Sequence, residues 1–299
     1  MLNKRPKRVS GIKQKRFNME YFYDTEFLEG TQKKWIGGKT KPTIDIISIG
    51  IVCEDGREHY AVNKDFNLKE AWNRYDEKIQ YFNGDIRNQF PNGGKYKEYW
   101  IRENVLKPIY YEWVGKDINF HEVDFSYKDF KRLLNKYGKS IENIRKGIID
   151  FTNPGLMWPT SSYNNSELKE GSILSEFFDK HNVKEDNGYF VAQPTLYGYY
   201  SAYDHVALSW IFGKMIDLPK GFPMYTRDLK QMFDEKQESR AKTISFFKET
   251  DLYDKYKENK IIFPENLKEH PQYPKQENEH NALSDAIFVK NLYHFLKKV

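Results

Sequence analysis

The sequence predicts an α/β protein with a mixed central sheet that is flanked by helices and interrupted by long insertions. Two patterns in its 299 residues lead to this prediction. Three strand-like segments with short connections come first, and they indicate a three-strand antiparallel meander. Two further strand-like segments follow much later and alternate with helical patterns, which is typical of a mixed sheet with helices packed against it.

The meander is predicted from three segments near the start of the chain. Glu20–Phe27 is rich in aromatic residues, and Thr43–Glu54 is β-branched and apolar, as expected for a buried strand. The intervening Gly30–Pro42 contains two more glycines and several lysines, so a loop is predicted there. An Asp-Gly hairpin signal then precedes a third strand at Glu58–Asn63.

The later elements alternate between helix and strand. Ser172 is a candidate N-cap for a helix at Ile173–His181. The remaining predictions, in chain order, are a strand at Thr195–Ser201, a helix at Tyr203–Lys214, a short strand at Met224–Leu229 running into a helix at Asp228–Lys236, and an amphipathic helix at Asn281–Lys298.

The domain organisation is interpreted as one domain with additions. Residues 1–18 are expected to be a basic, disordered tail, and residues 19–299 a single domain with insertions at about 73–99 and 111–170. Within and beside these insertions, Leu68–Tyr75 and Trp100–Trp113 have helical patterns.

The composition excludes several classes of protein. Cys53 is the only cysteine, so no internal disulfide can form and a reducing compartment is expected. No run approaches the roughly 18 apolar residues of a membrane span, and no apolar segment follows the basic N-terminus as in a secretory signal. We therefore expect a soluble, cytoplasmic protein with no membrane partner.

The net charge of +5 is concentrated at one end. Seven basic residues and no acid lie in residues 1–18, which leaves 41 basic and 43 acidic residues in 19–299. The folded part is therefore not generally basic, and affinity for nucleic acid would depend on local patches or bound metal. The tail would add salt-sensitive attraction to phosphate, or it is merely a solubilising arm.

Two acids stand side by side on the first strand. Asp24 and Glu26 are two residues apart, so they project from the same face if the strand persists. Two buried carboxylates repel each other unless a cation, a basic side chain or water compensates them. The alternative is a strand end that frays into solvent, where both acids are hydrated.

Three more candidates lie at helix starts. Asp204 follows the fourth strand, and His280 and Asp285 lie at the start of the last helix. Each has a structural alternative, because acids in a first turn are favoured by the helix dipole and a histidine there is often solvated. A capping box between Ser201 and Asp204 would be another purely structural use.

Taken in order, these residues resemble a known superfamily. Asp-x-Glu on the first strand, an Asp after the fourth strand and His-x4-Asp at the last helix are similar to the DEDDh branch of the DEDD exonucleases, which implies a ribonuclease H-like fold. Tyr21–Leu28, Ala202–Leu208 and Tyr225–Leu229 look like the ribonuclease AS family of polyadenylate-preferring 3′-exoribonucleases. The resemblance covers about residues 19–63, 172–236 and 280–296, and more weakly 100–110.

The resemblance implies a two-metal mechanism. It makes Asp24, Glu26, Asp204 and Asp285 ligands of two Mg²⁺ ions, with Mn²⁺ as a substitute, and His280 the general base. It also implies a homodimer.

Contacts to the substrate are a softer expectation of the same resemblance. Phe27 would wedge against the terminal base, Thr25 would offer its backbone N–H to the substrate, and Tyr203 would line the pocket. Phe27 as a core residue is an equally open interpretation. The inserted middle of the chain is interpreted as a lid, a wall that guides RNA, or surface decoration.

Three functions remain in competition. The leading hypothesis is a metal-dependent 3′-5′ exoribonuclease that releases nucleoside 5′-monophosphates from single-stranded RNA with adenosine-rich 3′ ends. The same chemistry would serve a 3′-5′ DNA exonuclease. A nucleic-acid-binding module that has lost turnover is the alternative from another class.

Overall fold

The structure is a computed structural model, and it describes residues 19–32, 41–80, 94–116, 124–152, 157–159, 183–186, 189–192, 194–219, 221–250, 258 and 264–299. The expected basic tail at residues 1–18 and the predicted helix at Ile173–His181 lie outside the described residues.

The central sheet has five strands and a mixed direction. Its strands, in spatial order, are β10 (Arg227–Asp228), β9 (Pro194–Gly198), β1 (Met19–Gln32), β2 (Lys41–Cys53) and β3 (Glu58–Val62). Strands β1, β2 and β3 are antiparallel neighbours, while β9 and β10 run parallel to β1. The mixed α/β sheet predicted from the sequence is therefore confirmed. The other described strands are β4 (Asp76–Gln80), β5 (Gly94–Glu98), β6 (Met157–Pro159), β7 (Val183–Asp186) and β8 (Tyr189–Ala192).

The first two strands are longer than predicted. The ladder continues beyond Phe27 through Gly30, which pairs with Thr43, to Gln32, which pairs with Lys41. The predicted loop at Gly30–Pro42 was therefore too long at both ends. Glycine and lysine signals mark a turn, but they do not show how far the paired arms extend towards it.

Helices cover both faces of the sheet. The described helices are α1 (Leu68–Asn73), α2 (Lys107–Lys116), α3 (Tyr127–Tyr137), α4 (Ile141–Thr152), α5 (Ala202–Phe212), α6 (Leu229–Lys248) and α7 (Ala282–Lys298). A π-helical turn at Arg102–Leu106 leads into α2. Helix α6 is much longer than the predicted Asp228–Lys236, because its charged middle hides the periodicity that buried Ile244 resumes.

The first strand divides the core between its two faces. Tyr21 and Tyr23 pack on one face with residues of α4 and α5 such as Ile148 and Leu208. Phe22 packs on the other face with α6 and α7. A third cluster lies around α1, α2 and α3. Alternate side chains of β1 therefore point to opposite layers, as strand geometry requires.

Two helices of the segment 111–170 belong to the core. Phe130 and Leu133 of α3 are fully buried, and so are Ile144 and Ile148 of α4. Burial of each such side chain contributes about 1.5–3 kcal/mol, so these helices stabilise the fold. The interpretation of this segment as surface decoration is wrong for α3 and α4.

Two small sheets lie outside the central one. Strands β4 and β5 form an antiparallel hairpin, and β6, β8 and β7 form a three-stranded sheet. Neither was predicted. Strands β4 and β5 are highly charged and lack an apolar alternation, and β6, β7 and β8 have only 3, 4 and 4 residues. Within the described part of the chain, no helix combines the length and apolar character needed to cross a bilayer.

Candidate active site

Asp24 and Glu26 lie on the β1 face that is covered by α7. Asp24 pairs with Gly50 of β2, Glu26 pairs with Ser48, and the register shifts immediately after Glu26. Both side chains are half-buried and share the face of Phe22, which packs against α7. The alternative of a fraying strand end is thus wrong, because β1 continues for six residues beyond Glu26.

The start of α7 brings Asp285 and His280 to the same place. Asn281 caps the helix by accepting two backbone N–H groups of the first turn. Asp285 Oδ2 accepts the backbone N–H of His280 at 2.9 Å, and its Oδ1 accepts Nε2 of Gln276 at 2.7 Å. His280 has φ +67°, in the left-handed region that few residues other than glycine adopt. Its backbone is therefore fixed by the carboxylate that lies beside its side chain.

Asp204 approaches from the opposite side of the sheet. Its side chain is buried, and its Oδ1 accepts both the backbone N–H of Thr25 at 3.1 Å and the Thr25 hydroxyl at 2.5 Å. A capping box with Ser201 is not formed, because the N–H of Ser201 donates to Oδ2 of Asp228 at 3.1 Å. Asp204 therefore faces β1, between Asp24 and Glu26, rather than its own helix end.

All four carboxylates have raised pKa values, and burial is the largest cause for each of them. Burial and then the neighbouring Asp204, Glu26 and Asp285 hold the pKa of Asp24 well above its ordinary value. Burial and then Asp285 and Asp204 raise the pKa of Glu26 to about 8. Burial raises the pKa of Asp204 to about 6 against the opposing hydrogen bonds of Thr25. Burial also raises the pKa of Asp285.

The arrangement fits a hard divalent cation. One carboxylate oxygen each of Glu26 and Asp285 and a ring nitrogen of His280 all lie within 4.8 Å of one another. Carboxylate oxygens are the ligands that Mg²⁺ and Mn²⁺ prefer, and a cation would relieve the repulsion that adds to the raised pKa values of Asp24 and Glu26.

The structure thus brings all five predicted residues to one region. Asp24 lies beyond the carboxyl end of its parallel neighbour β9, and Asp204 comes from the helix that follows β9. In open α/β sheets this edge is where ligands bind.

The predicted substrate contacts have mixed placements. Both donors of Thr25 are used by Asp204, so Thr25 orients a carboxylate and the expected backbone donation to substrate is not available here. Phe27 is half-buried against the core, and its ring stacks on the exposed ring of Tyr203 with 5.9 Å between centroids. Phe27 thereby combines the two interpretations, since it packs on the core and also borders a cleft.

The cleft is lined by Trp100, a residue that the sequence analysis did not connect with the site. The cleft has a volume of about 260 Å³, and Phe27, Tyr75 and Ile101 also line it. The Trp100 ring makes an edge-to-face contact with His280, with 4.6 Å between ring centroids. The sequence places Trp100 at the start of a helix but contains no signal that this position meets His280.

Comparison with known proteins adds independent information. No protein-family model matches the chain. Two curated proteins named 3′-5′ exoribonuclease, from two strains of Mycobacterium tuberculosis, are each 26% identical to it over 218 residues. The aligned region spans 73% of this chain and 76% of each of those proteins. The similarity therefore extends well beyond the short motifs around the five residues.

Proposed function

We propose that this chain is a metal-dependent 3′-5′ exoribonuclease of the DEDDh type on a ribonuclease H-like fold. The observation that carries the proposal is the convergence of four carboxylates with raised pKa values beside His280, from three elements far apart in the sequence. The two similar proteins named 3′-5′ exoribonuclease support the same class.

Asp24, Glu26, Asp204 and Asp285 would hold two divalent ions, Mg²⁺ or Mn²⁺. When bound, such a pair supplies an activated water and stabilises charge on the leaving 3′-oxygen. The protein's part is to keep the ligands in place: Thr25 orients Asp204, and Gln276 orients Asp285. Preorganised ligands of this kind are what metal sites depend on.

His280 is the general base of the proposed reaction. A ring nitrogen of His280 lies beside Glu26 and Asp285, where it would accept a proton from the attacking water. Hydrolysis then releases a nucleoside 5′-monophosphate from the 3′ end of the strand.

The substrate is proposed to be single-stranded RNA. The Phe27–Tyr203 stack lies next to Asp204 and offers aromatic faces to unpaired bases. Stacking of this kind does not read sequence, so the preference for adenosine-rich 3′ ends rests on the resemblance to the ribonuclease AS family.

The assembly is proposed to be a homodimer, on the same resemblance. Helix α5 supports it with an exposed face that carries Val206 and Trp210, of which 39% and 46% are accessible. Large apolar side chains grouped on one helix face are common where two proteins meet.

The test is a digest of 5′-labelled poly(A) in Mg²⁺ or Mn²⁺, beside poly(U), single-stranded DNA and an EDTA control. A metal-dependent ladder that shortens from the 3′ end, fastest on poly(A), is expected. Asp24→Asn and Asp285→Asn should abolish it while the folded circular dichroism spectrum is kept. A ladder on DNA alone would show that the substrate is DNA and not RNA. Binding without any ladder would show that the protein is a nucleic-acid-binding module and not an enzyme.

A further inference from the structure

The backbone of His280 is held firmly, whereas its side chain has two torsions left to set. The N–H of His280 donates to Asp285, and Asn281 caps the helix immediately after it. Neither contact determines where the imidazole points, because side-chain rotamers are chosen by what the ring touches. The described ring contact that bears on this choice is the one with Trp100.

The geometry of that contact is suited to holding a ring. The two ring planes are inclined by 70° at a centroid separation of 4.6 Å. Edge-to-face pairs are preferred over face-to-face pairs, and such a contact favours one orientation by roughly 2- to 12-fold.

Trp100 lies next to a helical turn that is anchored in the core. It precedes the π-helical turn Arg102–Leu106, in which Val105 and Leu106 are buried in the core. Its carbonyl oxygen accepts Nδ2 of Asn104 at 2.9 Å. Trp100 is 39% exposed, so it remains accessible to a ligand while it contacts His280.

Trp100 also lines the cleft. Phe27, directly after Glu26, is another lining residue, and Arg74 and Glu98 supply polar groups at the cleft. Ligand pockets typically measure about 300–1,000 Å³, so a cleft of about 260 Å³ suits one flat nucleobase rather than a longer stretch of chain. Two aromatic walls are the surfaces on which an unpaired base stacks.

We propose that Trp100 is a positioning residue: it orients the His280 imidazole, and a nucleobase bound in the cleft between Phe27 and Trp100 completes that orientation. This inference rests on the proposed function and deepens it. The nucleobase in the cleft therefore helps to position His280, the general base. The cleft itself lies outside the carboxylate cluster.

Turnover of poly(A) tests the coupling. Trp100→Ala should lower kcat by roughly 2- to 12-fold, the factor by which the contact favours one orientation, and Trp100→Phe should restore most of the loss. Tyr111→Ala removes an exposed aromatic side chain from the neighbouring helix α2 and should leave kcat and KM unchanged.

A double-mutant cycle shows whether Trp100 acts through His280. If it does, Trp100→Ala adds nothing to the loss of kcat once His280→Ala is present, because the two residues work as a unit. If the loss of kcat in the double variant equals the product of the losses in the two single variants, the positioning role is overturned. An unchanged kcat with a raised KM in Trp100→Ala would also overturn the positioning role. Trp100 would then only contact the nucleobase of the substrate.

The same contact can be measured in the metal-free protein without any reaction. The His280 imidazole resonances, identified by their absence in His280→Ala, should be displaced by the indole ring current and should move in Trp100→Ala but much less in Tyr111→Ala. Adenosine 5′-monophosphate added with Ca²⁺ should shift them further. Ring-current displacement without nuclease activity would sink the proposed function alone. If the His280 resonances do not move in Trp100→Ala, the positioning role of Trp100 is overturned, whatever the protein hydrolyses.

Discussion

Gly50 pairs with Asp24 in the antiparallel ladder, and the backbone of α7 fills the space that a Gly50 side chain would occupy. A Cβ atom there would overlap the carbonyl group of Ala282 and the Cα of Leu283. The absence of one methyl group thus lets the first turn of α7 rest directly on β2. Asp285 and His280 reach the strand that carries Asp24 and Glu26 because of this close approach.

Gly50→Ala should therefore separate the two halves of the site. Forcing a methyl group into this contact costs about 1–3 kcal/mol and displaces the first turn of α7 away from β1. We expect a Tm lowered by several degrees and a weakened affinity for Mn²⁺, measured by calorimetry. The matched control is Gly115→Ala, because a Cβ at that helical glycine meets open space. Normal Mn²⁺ affinity in Gly50→Ala would show that the approach is not needed.

Thr25→Val should alter Asp204 without emptying its surroundings. The substitution keeps the size of the side chain and the backbone N–H but removes the hydroxyl donor at 2.5 Å from Asp204. Since that hydrogen bond favours the ionised form, the pKa of Asp204 should rise above about 6 and metal affinity at neutral pH should fall. Thr25→Ser keeps the donor and should behave like the wild type. Equal Mn²⁺ titrations for both variants would contradict the assigned role of Thr25.

The stability of the metal-free protein should fall as the pH rises. The folded protein keeps a proton on Glu26 up to about pH 8, whereas the unfolded chain loses it near 4.5. Between these values the folded state binds more protons, so the free energy of unfolding decreases with pH, by an amount on the order of a few kcal/mol across the window. Below pH 4.5 this group contributes no penalty.

Two comparisons check this pH dependence. Glu26→Gln cannot ionise, so its thermal-denaturation midpoint should fall less steeply from pH 5 to pH 8 than that of the wild type. Mn²⁺ competes with protons for the carboxylates, so its stabilising effect should be larger at pH 8 than at pH 5. A midpoint that rises with pH in the metal-free wild type would contradict the raised pKa values.

Trp210→Glu tests the proposed dimer. Trp210 lies on the exposed face of α5, and a charge introduced at the centre of an interface has to be buried without a partner. We expect the variant to elute as a monomer in size-exclusion chromatography with light scattering. Phe246→Glu changes another exposed aromatic residue, on α6, and should leave the mass unchanged. A wild-type monomer would dispose of the dimer altogether.

Local patterns place four of the five candidate site residues on their elements, whereas their assignment to one site came from the resemblance to the DEDDh exonucleases. Asp24 and Glu26 are separated by the period of a strand, and Asp204 and Asp285 stand in first helical turns. Such patterns identify the element and the face, and the topology of an α/β sheet then brings the ends of these elements together.

Gly50 and Trp100 illustrate what local patterns do not contain. Gly50 lies in the middle of a β-branched strand, where nothing in the sequence shows that a helix will pack against its Cα. Trp100 follows a charged hairpin whose position depends on long-range packing. Contacts between distant segments are determined by how layers meet, so short-range periodicity could not place either residue beside the carboxylates.

The first strand and the last helix also meet at their other ends. Glu20 accepts the hydroxyl of Tyr293, a residue 273 positions away along the chain, and Lys297 lies 3.8 Å from the same carboxylate. Contacts between residues this far apart in the sequence form slowly, because the entropy of closing a long loop is lost before the contacts can stabilise the fold. A folding intermediate with a complete meander and an undocked α7 would hold Asp24, Glu26 and Asp204 without Asp285 or His280. During refolding, the proposed nuclease activity would therefore return in a later kinetic phase than the sheet itself.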